Sequence, residues 1–407
     1  MKKLILTLGA VFFLSPLIIN AQNIWTQEAN LSADGGRYGA AGFSIGHYGF
    51  IGAGATKSGF VNDFWKWNQR TNIWTQIAAY PGKGSLGMSS FSINGHGYCC
   101  LGDGSNGYAT DLWEYDTTSN KWTQKASFPG VSRKYAFVFV IGTKAYIGGG
   151  EPGGTPYYQD VWVYDANANT WTSVASFPGG TRAGLCSFAL NGYGYAGTGS
   201  DGYTNYTDLW KYDPNSNTWS SAASMPVDEI DLTVSFVIDS IAYVGTGDNV
   251  LGEYFRDFWS YNGKTNTWGH IQTLPGVSRY VATSFTIGEY GYAATGIDSA
   301  SGYLQDFWQY GPQSTEGVNE LKNTGFTMEV YPNPSSEIVK FSYNNPGVQN
   351  AELLISDALG RIVSKYNIPN SKGVLQINGN QLNDGIYFYQ INSNGNYLAT
   401  GKFVITR

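Results

Sequence analysis

From residue 23 to residue 310, short apolar runs alternate with clusters of Gly, Asn, Asp and Ser, the patterning of short strands joined by turns. The pattern repeats. An Asn-x-Trp triplet ends in Trp25, Trp74, Trp122, Trp171, Trp219 and Trp268, at spacings of 49, 48, 49, 48 and 49 residues. An Asp-x-Trp triplet runs beside it at Asp63, Asp111, Asp160, Asp208, Asp257 and Asp306, followed two residues after its Trp by Trp67, Tyr115, Tyr164, Tyr212, Tyr261 and Tyr310. A phenylalanine column (Phe43, Phe91, Phe139, Phe188, Phe236, Phe285) opens stretches such as residues 188–199, where two apolar runs flank a tight turn. Each unit therefore reads as a four-stranded meander. Residues two apart on a strand share a face, so Trp113 and Tyr115 point one way and Leu112 the other, and both faces of the sheet are apolar. A sheet of this size cannot bury two faces alone, and stacking six of them around an axis does so.

The phase of the repeat predicts how the ring closes. Asn23-Ile24-Trp25 has no Asp-x-Trp before it, and Asp306-Phe307-Trp308 has no Asn-x-Trp after it. Together they complete a sixth blade, which removes the exposed sheet edges.

The two ends differ from the repeat. Lys2 and Lys3 precede an apolar run from Leu4 to Ile19 with Ala21 after it, the organisation of a secretory signal peptide over residues 1–21. The mature chain then starts at Gln22 and carries no membrane span. Residues 22–311 form the propeller, residues 312–325 lose the aromatic density and read as a linker, and residues 326–407 read as a small separate β domain.

These residues resemble two families. The repeat resembles the kelch family, Gly148-Gly149 being the best match to its glycine pair, and the resemblance implies an all-β, six-bladed kelch-type β-propeller. The last segment resembles the type A sorting domain of the type IX secretion system through Val330-Tyr331-Pro332-Asn333-Pro334, Ile355-Ser356-Asp357-Ala358-Leu359-Gly360-Arg361, Gly385-Ile386-Tyr387-Phe388 and Gly401-Lys402-Phe403-Val404-Ile405. That implies an immunoglobulin-like β-sandwich, recognised by the secretion machinery, and a product that is secreted or held at the outer cell surface.

Composition narrows the chemistry. Among 407 residues there are 53 glycines and 30 tyrosines but 13% charged residues, a net charge of -6 and no basic run, which excludes a phosphate-backbone binder. Three histidines and three cysteines suggest neither a multi-histidine metal centre nor a disulfide scaffold, so no metal and no cofactor is expected. Cys99, Cys100 and Cys186 fall in columns of small strand residues, which makes them packing residues. Gly-x-Gly-x-x-Gly matches at 102–107 and 197–202 lead into strands rather than helices and offer no helix N-terminus to a pyrophosphate. The Asp-x-Trp aspartates are expected to cap loop amides. The loop aspartates Asp103, Asp201, Asp248 and Asp298 lack calcium-loop spacing.

The most informative polar feature is an arginine column six residues before the repeat phenylalanine: Arg37, Arg133, Arg182 and Arg279, with Ser85 and Ile230 in the second and fifth units. In an up-down meander these share an end with the long loops carrying Tyr108, Tyr158, Tyr203, Tyr254 and Tyr303, while the other end has only tight turns. Arginine forks suit carboxylates and tyrosines stack on sugars or peptide side chains, so these nine residues form the candidate ligand-binding face for a glycan or protein. The alternative role for the arginines is bracing of neighbouring loops. No catalytic residue emerges. An acidic-sugar enzyme of the epimerase type, an expectation drawn from the kelch resemblance, would need an acid/base pair to which Asp228, Glu229 or Asp231 contributes; a structural adhesion module is the remaining alternative.

Overall fold

The computed structural model describes residues 23–31, 35–227, 229–300, 302–312, 327–344, 351–357, 361–369, 372–393 and 396–406. The expected signal peptide, all but the first residue of the expected linker, Asp228 and the stretch 358–360 lie outside the described residues. The chain divides into two compact units, Met1–Gln313 and Ser314–Arg407.

The first unit holds six four-stranded antiparallel meanders. Blade 1 is Ala41–Ile45, Tyr48–Gly52, Phe64–Asn68 and Ile73–Ile77; blades 2 to 5 repeat it. The sixth comprises Thr283–Ile287, Tyr290–Ala294 and Phe307–Pro312, and its outer strand is Asn23–Glu28, paired in register from Asn23 opposite Pro312 to Glu28 opposite Phe307. Ring closure by the N-terminal strand follows the phase of the repeat.

Each repeat column has a packing role. The first-strand Phe stacks on the aromatic ring opposite it in the second strand, as in Phe188 on Tyr195 at 5.1 Å, and the pair then meets the third-strand Tyr of the next blade, Tyr261, at 6.0 and 5.6 Å. Glycine on the second strand admits the ring of a neighbouring blade: a Cβ on Gly97 would lie 2.0 Å from the Phe43 ring. Asparagine of Asn-x-Trp adopts a left-handed φ, 51 to 54°, which Asn tolerates, and its side-chain oxygen accepts two hydrogen bonds at once. Asn217 takes one from the Tyr212 hydroxyl (2.8 Å) and one from the Ala175 amide of the preceding blade's exit (2.9 Å), while Trp219 Nε1 donates to the Ala175 carbonyl (3.0 Å). Trp67 keeps the pattern with a different ring, since its indole N–H reaches Asn72 at 2.9 Å.

The second unit is two antiparallel sheets over one core. Thr327–Tyr331, Ile338–Asn344 and Lys372–Asn378 form one, and Ile362–Ile368, Ala351–Ser356, Gly385–Ser393 and Asn396–Ile405 the other. Val339, Phe341, Leu353, Ile355 and Phe403 are fully buried between them, alternating with less buried residues along the strands. The Tyr-Pro-Asn-Pro segment meets the last strand, where Asn333 accepts from the Val404 amide at 2.9 Å and donates to the Lys402 carbonyl at 3.3 Å. Asp357 accepts from both the backbone and the guanidinium of Arg361 at 3.0 and 2.8 Å.

Candidate functional site

The arginines lie on the long-loop face, and their forks are filled by the protein itself. Arg37, Arg133, Arg182 and Arg279 are at most 1% exposed. Each forms an ion pair with the Asp-x-Trp aspartate of its own blade: Asp63, Asp160, Asp208 and Asp306, at 2.6 to 2.8 Å. Each also donates to the carbonyl that follows the second strand, on Ala53, Gly149, Thr198 or Thr295. Within each such aspartate the second oxygen accepts from the tryptophan two residues on, as Asp160 does from Trp162 at 2.8 Å. Burial by itself raises Asp63 and Asp160, but hydrogen bonds from Arg37 and Arg133, helped by Trp65 and Trp162, outweigh it and hold both carboxyls below the usual range. Bracing is therefore what the arginine column does, and the aspartates answer guanidinium and indole donors. In blade 2, where Ser85 replaces Arg, the aspartate Asp111 takes a loop amide, that of Lys83 at 3.2 Å.

The five candidate tyrosines are spread around that face. Tyr158 covers the Arg133 guanidinium at 4.0 Å and so belongs to the brace. Tyr203 is 80% exposed. Tyr108 approaches the Lys134 ammonium at 5.9 Å, Tyr303 lies 5.6 Å from Tyr38, and Tyr254 stacks on Tyr280 at 4.6 Å. The last three line up with a group not read as one site from sequence: the inner rim of the ring, around its axis.

Six residues with left-handed backbone form that rim: Gly39, Gly87, Tyr135, Gly184, Leu232 and Val281, with φ from 49 to 69°. Their amides run round the axis: Gly87 donates to Gly39, Tyr135 to Gly87, Gly184 to Tyr135, Leu232 to Gly184 and Gly39 to Val281, at 2.9 to 3.1 Å. They line a cavity of roughly 130 Å³. Glycine is the expected occupant at such φ, so Tyr135, Leu232 and Val281 hold strained conformations beside the cavity. Just outside, each blade's entering loop bridges the third residue after its second strand: Tyr38 with Ala55, Leu86 with Asp103, Lys134 with Glu151, Ala183 with Ser200, Asp231 with Asp248, and Tyr280 with Ile297.

Charge is unevenly distributed over this second ring. Lys134 Nζ stands 3.5 Å from Glu151 and 3.9 Å from Asp103. On the other side two carboxyls face one another, and among the described residues no cation is paired to either. Burial, and then the neighbouring Asp231 carboxyl, pushes Asp248 up to about 9; burial also raises Asp231, and the polar side chains of Asp248 and Asn205 beside it oppose that rise. Asp248 thus keeps its proton at neutral pH, facing the Asp231 carboxyl. Asn205 is 4% exposed, and its carboxamide reaches toward Asp231 without a well-formed hydrogen bond; Asp248 Oδ1 is likewise buried without one. Such a cluster offers a hydrogen-bond donor, several acceptors and aromatic area together.

Cys99, Cys100 and Cys186 are free and buried, and burial pushes the Cys186 thiol up to about 12. Among the described residues, no three His, Cys, Asp or Glu side chains are gathered to hold a metal ion, and no helix is long and apolar enough to cross a membrane.

The family described as Kelch motif matches residues 195–226, and the one described as Secretion system C-terminal sorting domain matches residues 329–406. No curated protein matches significantly. Among solved structures, the one titled "Structure of YjhT" superposes with a TM-score of 0.59 at 15% identity, covering 68% of this chain and 95% of that one, a likeness of fold. The chain is a kelch-type β-propeller followed by a secretion-system sorting domain, and it is exported to the medium or the cell surface.

Proposed function

We propose that the propeller is a binding module for a polyhydroxylated ligand, a neutral glycan, held at the axial mouth of the long-loop face. The observation that carries this reading is the Asp231 and Asp248 pair beside the buried, under-bonded Asn205. A carboxyl that keeps its proton beside a second carboxyl donates and accepts, which suits sugar hydroxyls, and the stacked Tyr254 and Tyr280 supply rigid apolar area at its edge. An anionic ligand fits poorly, because Asp103, Glu151, Asp231 and Asp248 outnumber Lys134 at the rim and the four arginines are committed elsewhere. The test is a glycan and peptide array probed with the secreted protein and with Asp231→Asn/Asp248→Asn. Selective glycan binding that falls at least tenfold in the variant is expected; glycan binding unchanged in the variant places the site elsewhere.

A second reading draws on the same pair. A proton donor and a proton acceptor side by side are the parts an epimerase-type enzyme needs. Solvent isotope exchange into a sugar panel, absent in Asp231→Asn, would support it; absence of exchange in the wild type counts against catalysis while leaving binding intact.

A further inference from the structure

Blade 5 lacks the arginine brace, and the place it would occupy is open. Ile230 stands in the arginine column. Asp257, the blade's Asp-x-Trp aspartate, has no guanidinium partner among the described residues; it accepts from Thr273 Oγ1 at 2.9 Å and lies 3.6 Å from His270 Nε2. Its side chain is 53% exposed, against 19 to 39% for the four arginine-paired aspartates. The indole of Trp259 turns its edge to His270 at 4.9 Å rather than donating to Asp257 as the other blades' tryptophans do. Between Ile230, Phe255, Asp257 and Trp259 lies a cavity of roughly 300 Å³, with Glu229 and Glu253 at its edge.

Two other blades show what this constellation accepts. At the positions equivalent to Phe255 and Asp257, Tyr206 and Asp208 hold the Arg182 guanidinium, 3.7 Å over the ring and 2.6 Å from the carboxylate; Tyr158 and Asp160 hold Arg133 at 4.0 and 2.6 Å. Blade 2 also lacks the arginine, yet there the phenol of Tyr80, fully buried and near Asp111, occupies the space. Blade 5 has Met225 in the Tyr80 column, so no phenol stands there, and His270 and Asn249 share the cavity wall with Asp257. We propose that the blade 5 cavity is a binding site for a guanidinium group, the arginine side chain of a peptide or protein partner, seated on Phe255 against Asp257. Glu229 and Glu253 on the cavity wall add attraction, and among the described residues no lysine or arginine lines the cavity to oppose it. The site is separate from the axial mouth and does not depend on the function proposed for it.

The experiment uses the full secreted chain and ligand-observed NMR with three blocked pentapeptides, Gly-Ser-X-Ser-Gly, in which X is arginine, citrulline or lysine. The arginine peptide is expected to bind, the citrulline peptide at least about tenfold more weakly because it keeps the shape and loses the charge, and the lysine peptide in between because it lacks the fork. Ile230→Arg supplies the guanidinium from within and is expected to abolish binding, and Asp257→Asn to weaken it to the citrulline level. If Ile230→Arg fails to fold by near-UV circular dichroism, Asp257→Asn decides alone. Equal binding of the arginine and citrulline peptides, undiminished binding in Asp257→Asn or in folded Ile230→Arg, or no binding of the arginine peptide at all overturns the proposal.

Discussion

Asp231 and Asp248 exchange both backbone hydrogen bonds across a single antiparallel bridge, 2.9 and 3.1 Å long, so two acidic side chains are set against each other at the rim of the ring. Like charges directly opposite oppose pairing, and here the conflict is resolved by a retained proton.

That proton makes stability depend on pH. The folded chain keeps it up to about pH 9, whereas an unfolded aspartate releases it near 3.9. Between those limits the native state binds more protons, so this pair's contribution to stability falls as pH rises and levels off above 9. Asp248→Asn removes the dependence. Its stability in chemical denaturation, set against wild type at pH 5 and pH 8.5, is expected to gain on wild type at the higher pH, by at most about 1.4 kcal/mol per pH unit. An equal difference at both pH values would show that Asp248 holds no proton over this range.

The arginine braces predict a pattern of losses. Arg133→Ala leaves Asp160 without its guanidinium partner and the Gly149 carbonyl without that donor, and is expected to destabilise the fold by about 3 to 5 kcal/mol in chemical denaturation. Arg133→Lys recovers little, because one ammonium cannot reach both carboxylate oxygens and the carbonyl in that plane. Full rescue by lysine would mean that charge alone matters there.

Trp67 offers a test of the repeat column. Its indole donates to Asn72, as the phenols do in the column's next four members. Trp67→Tyr is therefore expected to be mild. Trp67→Phe, lacking a donor, is expected to cost about 1 kcal/mol more through the lost hydrogen bond, measured by the difference in denaturation midpoints.

The three thiols are expected to be silent toward a thiol reagent in the native protein and to react together on unfolding. Burial raises all three, and each is fully enclosed in strand packing. Stoichiometric labelling before unfolding would contradict the packing described for blades 2 and 4.

Much of the fold was legible because repetition turns one ambiguous strand pattern into six aligned copies. The closing of Asn23–Glu28 onto Phe307–Pro312 needed only the phase of two triplets. The site was less legible, for a physical reason. Arg133 and Asp160 stand 27 residues apart, and their pairing depends on where the long loop returns, which no periodicity encodes. The arginine column looked like a reading surface because exposure was inferred from position on a loop, whereas the loops fold over their own guanidinium groups. Asp231 and Asp248 were each visible, but their facing one another required the bridge. The break at Ile230 was visible too, and only the cavity beside Asp257 gives it meaning.

Ring closure also bears on how the propeller carries load. Phe307–Pro312 is the strand from which the chain leaves toward the sorting domain, and it is not an edge: Asn23–Glu28 flanks it on one side and Tyr290–Ala294 on the other. Tension applied from the C-terminal side would act along this strand, in shear across two hydrogen-bond ladders at once, rather than unzipping one bond after another. A tether at that end would thus be anchored through a strand that also fastens the two termini of the ring, so pulling on the tail loads the seam that holds the ring shut.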